Sequence, residues 1–352
     1  MAFITYKNIG IRAMAACVPP KKIFNKDLGY LISEEEIEKT INSIGIQERR
    51  EADETVCSSD LCFKAAEKLM EDNQIDKSTI DALIFISQTP DYRQPSTAPS
   101  LQYRLGLPVS TLAFDINMAC SGYVYGLSMA FAYTSLASIN NVLLLVGETM
   151  SKTISQKDKN TTPLFGDAGT ATLITKDDRY GNAFFSLNSD GEGATVLQIP
   201  YGGYRQLSCE EGFKEVADED GNIRTGEQLH MQGMDVFNFG LRVVPKNIKE
   251  VLAYAEKNIE EVDLMLLHQA NKFMTDFFVK KLKFSLAKVP YSLQYFGNTS
   301  AASIPLNVVS EMQTPHYPQR KNVIMAGFGA GLSWGTCLLS LEHTNVSALV
   351  EY

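Results

Sequence analysis

The sequence has few features of a secreted or metal-binding protein. Its 352 residues include one tryptophan, four histidines and six cysteines, and the cysteines are scattered without a framework spacing. Cys57 and Cys62 form the nearest pair, but no second pair completes a zinc site, so we expect no metal. No basic N-terminal segment leads into an apolar stretch, and we therefore expect no signal peptide. Reduced thiols in a cytoplasmic protein are the simplest expectation.

Long apolar runs and an excess of basic residues are also missing. The longest apolar runs, such as residues 142–146, are strand-sized and fall well short of the roughly 18 residues of a membrane span. A net charge of −9 argues against general nucleic-acid binding. Basic residues still cluster in two stretches, which fit either a solvated helix face or a dock for an acidic partner. These residues are Lys280, Lys281, Lys283 and Lys288 in one stretch, and Arg242, Lys246 and Lys249 in the other.

What the sequence does contain is an internal repeat. An acidic lead-in, a buried strand and a polar turn occur at residues 78–89 and again at 260–271. A second apolar strand is predicted at residues 141–147, and a similar one at residues 322–327. A glycine-rich strand follows each of them. Repetition of this kind predicts a duplicated α/β fold.

The repeat divides the chain near residue 180. We predict an N-terminal half of residues 1–180 and a C-terminal half of residues 181–352, and a content of 45% hydrophobic residues suits a full core. Residues 186–230 are rich in Gly, Asp and Glu. They are typical of loops or a hairpin excursion rather than of a flexible linker.

Cys120 lies where an apolar strand turns into a helix. Residues 111–119 read as a buried strand, and the residues after Ser121 read as a helix of small and apolar side chains. Unpaired N–H groups at a helix N-terminus favour the thiolate, which is the nucleophilic form of cysteine. An inert buried thiol is the alternative interpretation.

Two further polar residues follow predicted strands or turns. His268 ends the apolar strand 264–267, where α/β folds place reactive side chains, although a core histidine has the same pattern. Asn298 lies in a glycine turn before a helix start, where a plain N-cap residue is also common. Together with Cys120 they form a set that is less easily explained as coincidence.

Such a set can perform two-stage acyl chemistry. Cys120 can attack a thioester and hold its acyl group. The His268 Nε2–H and the Asn298 amide can then stabilise the enolate of a second, decarboxylating thioester, each donor contributing ~3 kcal/mol. The glycine-rich segment 327–331 can bring backbone N–H groups close to a ligand.

Longer motifs make the interpretation specific, and they occur across nearly the whole chain. They are Asp115-Ile-Asn-Met-Ala-Cys120-Ser-Gly, Phe165-Gly-Asp-Ala-Gly, Met231-Gln-Gly-Met-Asp-Val-Phe, His268-Gln-Ala-Asn271, Tyr295-Phe-Gly-Asn298-Thr-Ser-Ala-Ala-Ser-Ile-Pro and Gly327-Phe-Gly-Ala-Gly-Leu-Ser-Trp-Gly335. With them the chain resembles the β-ketoacyl-acyl-carrier-protein synthase III family of thiolase-like condensing enzymes.

The resemblance implies both a fold and an activity. The fold is the thiolase-like duplicated α-β-α-β-α five-layered α/β fold, in a homodimer. The activity is decarboxylative condensation of an acyl primer with malonyl-acyl-carrier protein, in fatty-acid initiation or a specialised acyl-chain pathway. The partners are acyl-carrier protein and acyl-thioester substrates, acyl-coenzyme A or acyl-carrier protein, with no further cofactor.

The resemblance also implies roles for individual residues. Cys120, His268 and Asn298 match the catalytic triad, and the backbone N–H groups of Cys120 and Ala330 match the oxyanion hole. Phe328 matches a residue beside the active site. Other matched positions are Asn271 in the substrate pocket, and Lys280 and Lys281 as a basic pair that meets the acidic carrier protein.

Several positions depart from the family pattern. Tryptophan and arginine positions that meet coenzyme A hold Lys39, Ser43, Lys159 and Phe273, and phenylalanine cannot pair with phosphate as an arginine fork does. An aromatic position that lines the partner subunit's acyl pocket holds Gln94. These departures predict a primer delivered by a carrier protein, or an unusual acyl group.

Other functions share parts of this pattern. A papain-type hydrolase or amidase has the same order of Cys, His and Asn. An acyltransferase of the same fold, forming an ester or amide, has less need of Asn298. A hydroxymethylglutaryl-type synthase needs a catalytic glutamate, for which Glu148 is the candidate, and a non-catalytic partner subunit needs no intact triad.

Overall fold

The computed structural model describes residues 2–312, 317 and 320–352. The two predicted halves also include residue 1 and residues 313–316 and 318–319, which lie outside the described residues. The strands are β1 (Ala2–Lys7), β2 (Ile9–Val18), β3 (Lys22–Phe24), β4 (Glu48–Arg50), β5 (Ala82–Ile86), β6 (Leu112–Ile116), β7 (Asn141–Thr149), β8 (Asp167–Lys176), β9 (Asn182–Ser189), β10 (Leu197–Gln198), β11 (Val216–Ala217), β12 (Ile223–Arg224), β13 (His230–Met231), β14 (Leu264–Leu267), β15 (Val323–Gly329), β16 (Ser333–Leu339), β17 (Asn345–Val346) and β18 (Val350–Glu351).

The α-helices lie between these strands in the chain, singly or in succession. They are α1 (Glu34–Ile44), α2 (Ser58–Asp72), α3 (Ala98–Arg104), α4 (Gly122–Thr134), α5 (Gly233–Tyr254), α6 (Lys272–Leu282), α7 (Leu293–Phe296) and α8 (Ser303–Glu311). Among the described residues, no helix combines the length and the apolar character needed to cross a bilayer.

Two large sheets repeat one arrangement. In the first, β5 is parallel to β7 and β7 is antiparallel to β8, within the order β17-β2-β8-β7-β5-β6, with β18 also pairing with β2. In the second, β14 is parallel to β15 and β15 is antiparallel to β16, within the order β1-β9-β16-β15-β14. The predicted duplication is therefore present in the strand pairing.

Five layers result from how the helices cover these sheets. Helices α4 and α8 lie between the sheets, in a core of apolar residues drawn from both of them. Helices α2 and α3 cover the outer face of the first sheet, and α5 and α6 cover the outer face of the second. Strands such as β5 and β14 are fully buried, as expected for parallel strands covered on both faces. The predicted five-layered α/β fold is confirmed.

The strands at the two ends of the chain each join the sheet of the opposite half. Strand β1 pairs with β9 in the second sheet, while β17 and β18 pair with β2 in the first. The boundary near residue 180 therefore stays a prediction. The segment between β9 and α5 forms two short antiparallel pairs, β10 with β13 and β11 with β12, as a hairpin excursion would.

Candidate active site

Cys120 lies in the short turn between β6 and α4, at the predicted strand–helix junction. Its neighbour across the core is Gly329, the last residue of β15, so the first part of the glycine-rich segment 327–331 belongs to a strand. A Cβ added at Gly329 would lie 2.9 Å from Cys120 Cβ and 3.1 Å from Sγ. Only glycine leaves room for the thiol there.

Burial and one neighbouring hydroxyl act on the pKa of the Cys120 thiol in opposite directions. Burial raises its pKa to about 11, and the nearby Ser300 hydroxyl, with Oγ 3.5 Å from Sγ, opposes that shift only in part. Burial therefore opposes the thiolate that the helix start favours, because desolvation penalises the charged form of a side chain that is only 7% exposed. The thiolate stays a prediction.

His268 follows β14 directly and is buried against the Phe328 ring, with ring centroids 5.4 Å apart. Its Nδ1 lies 2.7 Å from Ser303 Oγ, the first side chain of α8. That hydroxyl also accepts a hydrogen bond from the Gln269 N–H at 3.3 Å. Its own hydrogen is then free to point at Nδ1, which favours the tautomer with the proton on Nε2.

The imidazole of His268 is neutral at pH 7. Burial lowers its pKa to about 3, and a backbone contact with Ser300 opposes the shift. A neutral ring with its proton on Nε2 can donate a hydrogen bond to a developing oxyanion without bringing a buried charge.

Asn298 is fixed by backbone bonds to the Phe165-Gly-Asp motif. Its N–H donates to the Leu164 carbonyl at 2.8 Å, and its carbonyl accepts from the Gly166 N–H at 3.1 Å. The side-chain Oδ1 accepts from the Ser300 N–H at 2.9 Å. The Nδ2 group forms no hydrogen bond with any residue that the structure describes, so it is available as a donor.

One cavity brings the three residues together. It has a volume of about 480 Å³, and apart from Cys120, His268, Asn271 and Asn298 its walls are apolar. We call it the apolar cavity. Its apolar lining consists of Leu164, Phe165, Leu197, Met231, Gly233, Met234, Val236, Phe237, Ala270, Phe273, Met274, Phe328 and Gly329.

A second cavity begins at the other side of Cys120. Its volume is about 670 Å³, and it runs between residues 87–96 and residues 197–204. We call it the polar cavity because it has more polar side chains than the apolar cavity. Its polar side chains include Ser87, Gln88, Thr89, Arg93, Asp115, Asn117 and Ser300. Its apolar lining includes Ala119, Met150, Ile199 and Leu229, together with Phe165 and Leu197, which also line the apolar cavity. Ala330, the predicted second oxyanion donor, also lines the polar cavity, but the oxyanion role itself stays a prediction.

The predicted substrate-pocket residues divide between the cavities and the surface. Phe328, Asn271 and Phe273 line the apolar cavity. Phe273 is 55% exposed at its mouth and stacks on Phe237, with ring centroids 5.5 Å apart. Gln94 is exposed and lines neither cavity of its own chain, so its contact with a partner subunit stays a prediction.

Glu148 does not reach either cavity. It is fully buried in β7, where it accepts hydrogen bonds from the Gln88 N–H at 3.1 Å and the Thr89 hydroxyl at 2.9 Å. Burial raises its pKa to about 7, and these hydrogen bonds oppose the shift. It lies behind the wall of the polar cavity, which gives no support to a direct catalytic role.

The two basic stretches converge on the outer face of the second sheet. Lys281, near the end of α6, donates to the Leu241 carbonyl at 3.0 Å. It lines a shallow groove with Arg242, Lys246 and Lys249 of α5. Lys280 beside it is exposed. These residues lie in two separate stretches of the sequence, and the fold brings Lys281 into the same groove as the three basic residues of α5.

Two residues that position the site were not predicted. Ser300 contacts Cys120 and the Asn298 side chain, and Ser303 contacts His268. Both belong to the motif that follows Asn298. The sequence signal for them was the number of hydroxyl residues that follow Asn298. The contact of Ser303 with the His268 ring depends on the packing of α8 against β14, which the sequence does not show.

Two family models match the chain. One is described as 3-oxoacyl-[acyl-carrier-protein (ACP)] synthase III and matches residues 114–193, and the other, its C-terminal model, matches residues 252–341. The first contains Cys120, and the second contains His268 and Asn298.

Individual proteins are similar over nearly their full lengths. A β-ketoacyl-[acyl-carrier-protein] synthase III of Rhodopirellula baltica is 34% identical, over 94% of this chain and 98% of its own. One from Caldanaerobacter subterraneus subsp. tengcongensis is also 34% identical, over 94% and 97%. A crystal structure of 3-oxoacyl-(acyl-carrier protein) synthase from Burkholderia xenovorans LB400 superposes with a TM-score of 0.93 and 36% identity, over 100% of this chain and 99% of that one.

Proposed function

Because the chain belongs to the 3-oxoacyl-[acyl-carrier-protein] synthase III family, we propose that it condenses an acyl primer held on Cys120 with malonyl-acyl-carrier protein. The product is a β-ketoacyl-acyl-carrier protein. The observation that carries the proposal is that Cys120, His268 and Asn298 line one cavity, while Cys120 also lines a second one. Two substrates need two spaces that share a reacting atom.

The first half-reaction loads the primer. Cys120 Sγ bonds to the thioester carbonyl carbon, the bond from that carbon to the donor sulfur breaks, and the thiol proton leaves with the donor thiol. The backbone N–H groups of Cys120 and Ala330 are the proposed donors to the oxyanion. The acyl group then occupies the polar cavity, because the next substrate needs the apolar one.

The second half-reaction forms the carbon–carbon bond. Malonyl thioester in the apolar cavity loses its carboxylate as CO₂, and its carbonyl becomes an enolate held by His268 Nε2–H and Asn298 Nδ2–H. The enolate carbon attacks the acyl carbonyl, and the bond to Cys120 Sγ breaks. The sulfur leaves as a thiolate and takes up a proton.

The mouth of the apolar cavity favours a carrier-bound donor over coenzyme A. Phe273 and Met234 are 55% and 69% exposed there. Neither side chain can bind a phosphate. A carrier protein presents its pantetheine arm without a nucleotide, so its binding does not depend on phosphate contacts at this mouth.

The groove lined by Lys281, Arg242, Lys246 and Lys249, with Lys280 at its edge, is the proposed dock for the acidic carrier protein. The neighbouring carboxylates do not neutralise it fully: Arg242 lies 3.6 Å from Asp190 and Lys246 lies 3.8 Å from Glu250, both as exposed pairs. Exposed pairs of this kind are weak. Most of the positive charge therefore remains available to a partner.

A homodimer is part of the proposal. Strand β6 is at the edge of the first sheet, and Leu112 on it and Val109 before it are 42% and 97% exposed. An exposed apolar edge strand is a site for pairing with another chain. Leu112→Asp is expected to shift the mass measured by light scattering from dimer to monomer. An unchanged mass, or a monomeric wild type, would reject this interface.

Two secondary features complete the proposal. The two thioester substrates supply all the reacting groups, so no further cofactor is needed. A cytoplasmic location fits the carrier-protein partner, and all six cysteines are free thiols, as that compartment maintains them.

The alternatives are less well supported. A papain-type hydrolase needs one acyl compound and has no use for a second cavity at the nucleophile. An ester- or amide-forming acyltransferase does not need Asn298 Nδ2 aimed at a second thioester, and Glu148 lies behind the cavity wall. An intact triad also argues against a non-catalytic partner subunit.

Intact-protein mass spectrometry tests the proposed function. Wild type and Cys120→Ala are incubated with acyl-carrier-protein and acyl-coenzyme A panels, then with malonyl-carrier protein. We expect an acyl adduct on wild type alone, which malonyl-carrier protein clears while a β-ketoacyl product appears. Clearance by water or by another nucleophile would identify a hydrolase or an acyltransferase. If acetyl-coenzyme A loads as fast as any carrier-bound acyl group, the carrier preference is wrong.

A further inference from the structure

Ser300 contacts all three residues of the proposed triad. Its Oγ lies 3.5 Å from Cys120 Sγ, and its N–H donates to Asn298 Oδ1 at 2.9 Å. Its backbone also contacts the His268 ring. Any side chain at this position would leave the two backbone contacts in place, so the hydroxyl group needs an explanation of its own.

The backbone of Ser300 has a conformation that favours glycine. Its φ is +50°, in the left-handed region, where a Cβ atom is unfavourable. Residues held in this region cluster at functional sites, where the surrounding structure enforces the conformation. The side chain of Ser300 is therefore present at an energetic cost, which indicates a role that glycine could not fill.

The hydroxyl of Ser300 has a weak partner. The residue is 2% exposed, and Cys120 Sγ is the only hydrogen-bond partner of its Oγ within the part of the chain that the structure describes. A thiol sulfur is a weak acceptor, but a hydrogen bond to an ionised acceptor is about twice as strong as a neutral one. The hydroxyl therefore gains a strong partner when the sulfur becomes charged.

We propose that Ser300 is a further catalytic residue, whose hydroxyl donates a hydrogen bond to Cys120 Sγ while that sulfur carries negative charge. This role rests on the proposed function, in which the sulfur is charged twice: as it attacks the donor thioester, and as it leaves the acyl carbonyl as a thiolate. Ser300 neither gains nor loses a proton, so the proton balance of both half-reactions is unchanged.

The charged and titratable groups near the catalytic sulfur do not replace this hydrogen bond. His268 is neutral because burial lowers its pKa to about 3, and Glu148 of β7 raises the pKa of the thiol. Two charged side chains line the polar cavity: the Asp115 carboxylate accepts from two backbone N–H groups, and Arg93 donates to a serine hydroxyl at 3.3 Å. The hydrogen bond from Ser300 lowers the pKa of the thiol.

Alkylation of the thiol tests the proposal without any acyl substrate. The rate at which iodoacetamide modifies Cys120 is measured by intact-protein mass spectrometry from about pH 7 to 10 in wild type, Ser300→Ala and Ser300→Gly. Loss of a hydrogen bond to the thiolate should displace the pH profile upward by about one pH unit, so modification at a given pH slows about tenfold. Glycine suits a φ of +50°, so Ser300→Gly removes the hydroxyl without backbone strain.

Thr299→Val is the matched control. Thr299 is fully buried beside Ser300, but its Oγ1 has no hydrogen-bond partner among the described residues, so the profile should match wild type. A profile that does not move in either Ser300 variant would overturn the proposal. Alkylation faster than in wild type would also overturn it, because a looser loop exposes the thiol without raising its pKa.

Acyl substrates then separate the role of Ser300 from the proposed function. Ser300→Ala should slow both the loading of Cys120 and the condensation that releases its thiolate about tenfold, while Thr299→Val keeps both near the wild-type rate. Loading and condensation at the wild-type rate in Ser300→Ala would reject the catalytic role. A wild type that forms no acyl adduct with any donor would instead reject the proposed function, and the alkylation profile would still decide whether the hydroxyl stabilises the thiolate.

Discussion

The two cavities that meet at Cys120 differ more in their linings than in their volumes, about 480 and 670 Å³. Phenylalanine and methionine side chains dominate the apolar cavity, and its few polar residues include His268 and Asn298, the proposed donors to the enolate. Amide, hydroxyl and charged groups are spread along the polar cavity. The contrast suggests that one space is built for a transition state and the other for recognition.

The largest effect should come from the atom that the cavities share. Replacing Cys120 with alanine removes the covalent intermediate, so condensation should fall by at least ~10³-fold. Product formation is measured by chromatography of the β-ketoacyl product. Cys209→Ala, which alters an exposed cysteine, is the matched control and should keep wild-type activity. Residual condensation near the wild-type rate in Cys120→Ala would exclude the acyl-enzyme.

The next effect should separate the cavities. Asn298→Ala removes one donor to the enolate and should slow condensation by ~10²–10³-fold. Loading of Cys120 should change little, because the proposed donors to that oxyanion are the backbone N–H groups of Cys120 and Ala330. Pre-steady-state mass spectrometry measures the two steps. Equal losses in loading and condensation would show that the two cavities do not divide the reaction.

A pH series sharpens the view of the resting nucleophile. With a Cys120 pKa of about 11, the thiolate fraction rises tenfold with each pH unit below that value, so iodoacetamide should modify Cys120 about 100 times faster at pH 9 than at pH 7. Because the His268 pKa lies near 3, no step centred at pH 6.5 should accompany the rise. A plateau below pH 8 would show that the folded site stabilises the thiolate.

The smallest effect concerns the mouth of the apolar cavity. Phe273→Arg places a guanidinium where coenzyme A phosphates would pass, so loading from acyl-coenzyme A should rise about tenfold relative to acyl-pantetheine. Phe273→Leu controls for loss of the stacked ring and should leave the ratio unchanged. Initial loading rates from both donors measure it. An unaltered ratio in Phe273→Arg would mean that the nucleotide does not pass this residue.

Much of the site could be predicted because its residues stand at element boundaries. Cys120 before α4 and His268 after β14 are marked by the change from an apolar strand to a turn, and Asn298 by a glycine turn. The duplication of the α/β fold followed from the repeated strand pattern, and its five layers followed from the family resemblance. These are local features, which sequence patterns record well.

What could not be predicted depends on distances across the fold. The contact between Ser303 and His268 joins α8 to β14, and the single basic groove joins Lys281 of α6 to Arg242 of α5. The helix start at Cys120 predicted a thiolate, but the depth of burial, which decides the pKa, is a tertiary property. The polar cavity likewise forms between a segment near residue 90 and the hairpin excursion near residue 200.

The most direct test is a crystal structure of the acyl-enzyme, obtained by loading wild type with the fastest primer of the panel. We predict that the acyl group bonded to Cys120 Sγ extends along Gln88 and Asn117 in the polar cavity, with the space beside His268 and Asn298 free for malonyl thioester. An acyl group that extends instead between Phe237 and Phe273 would contradict the assignment of the two cavities.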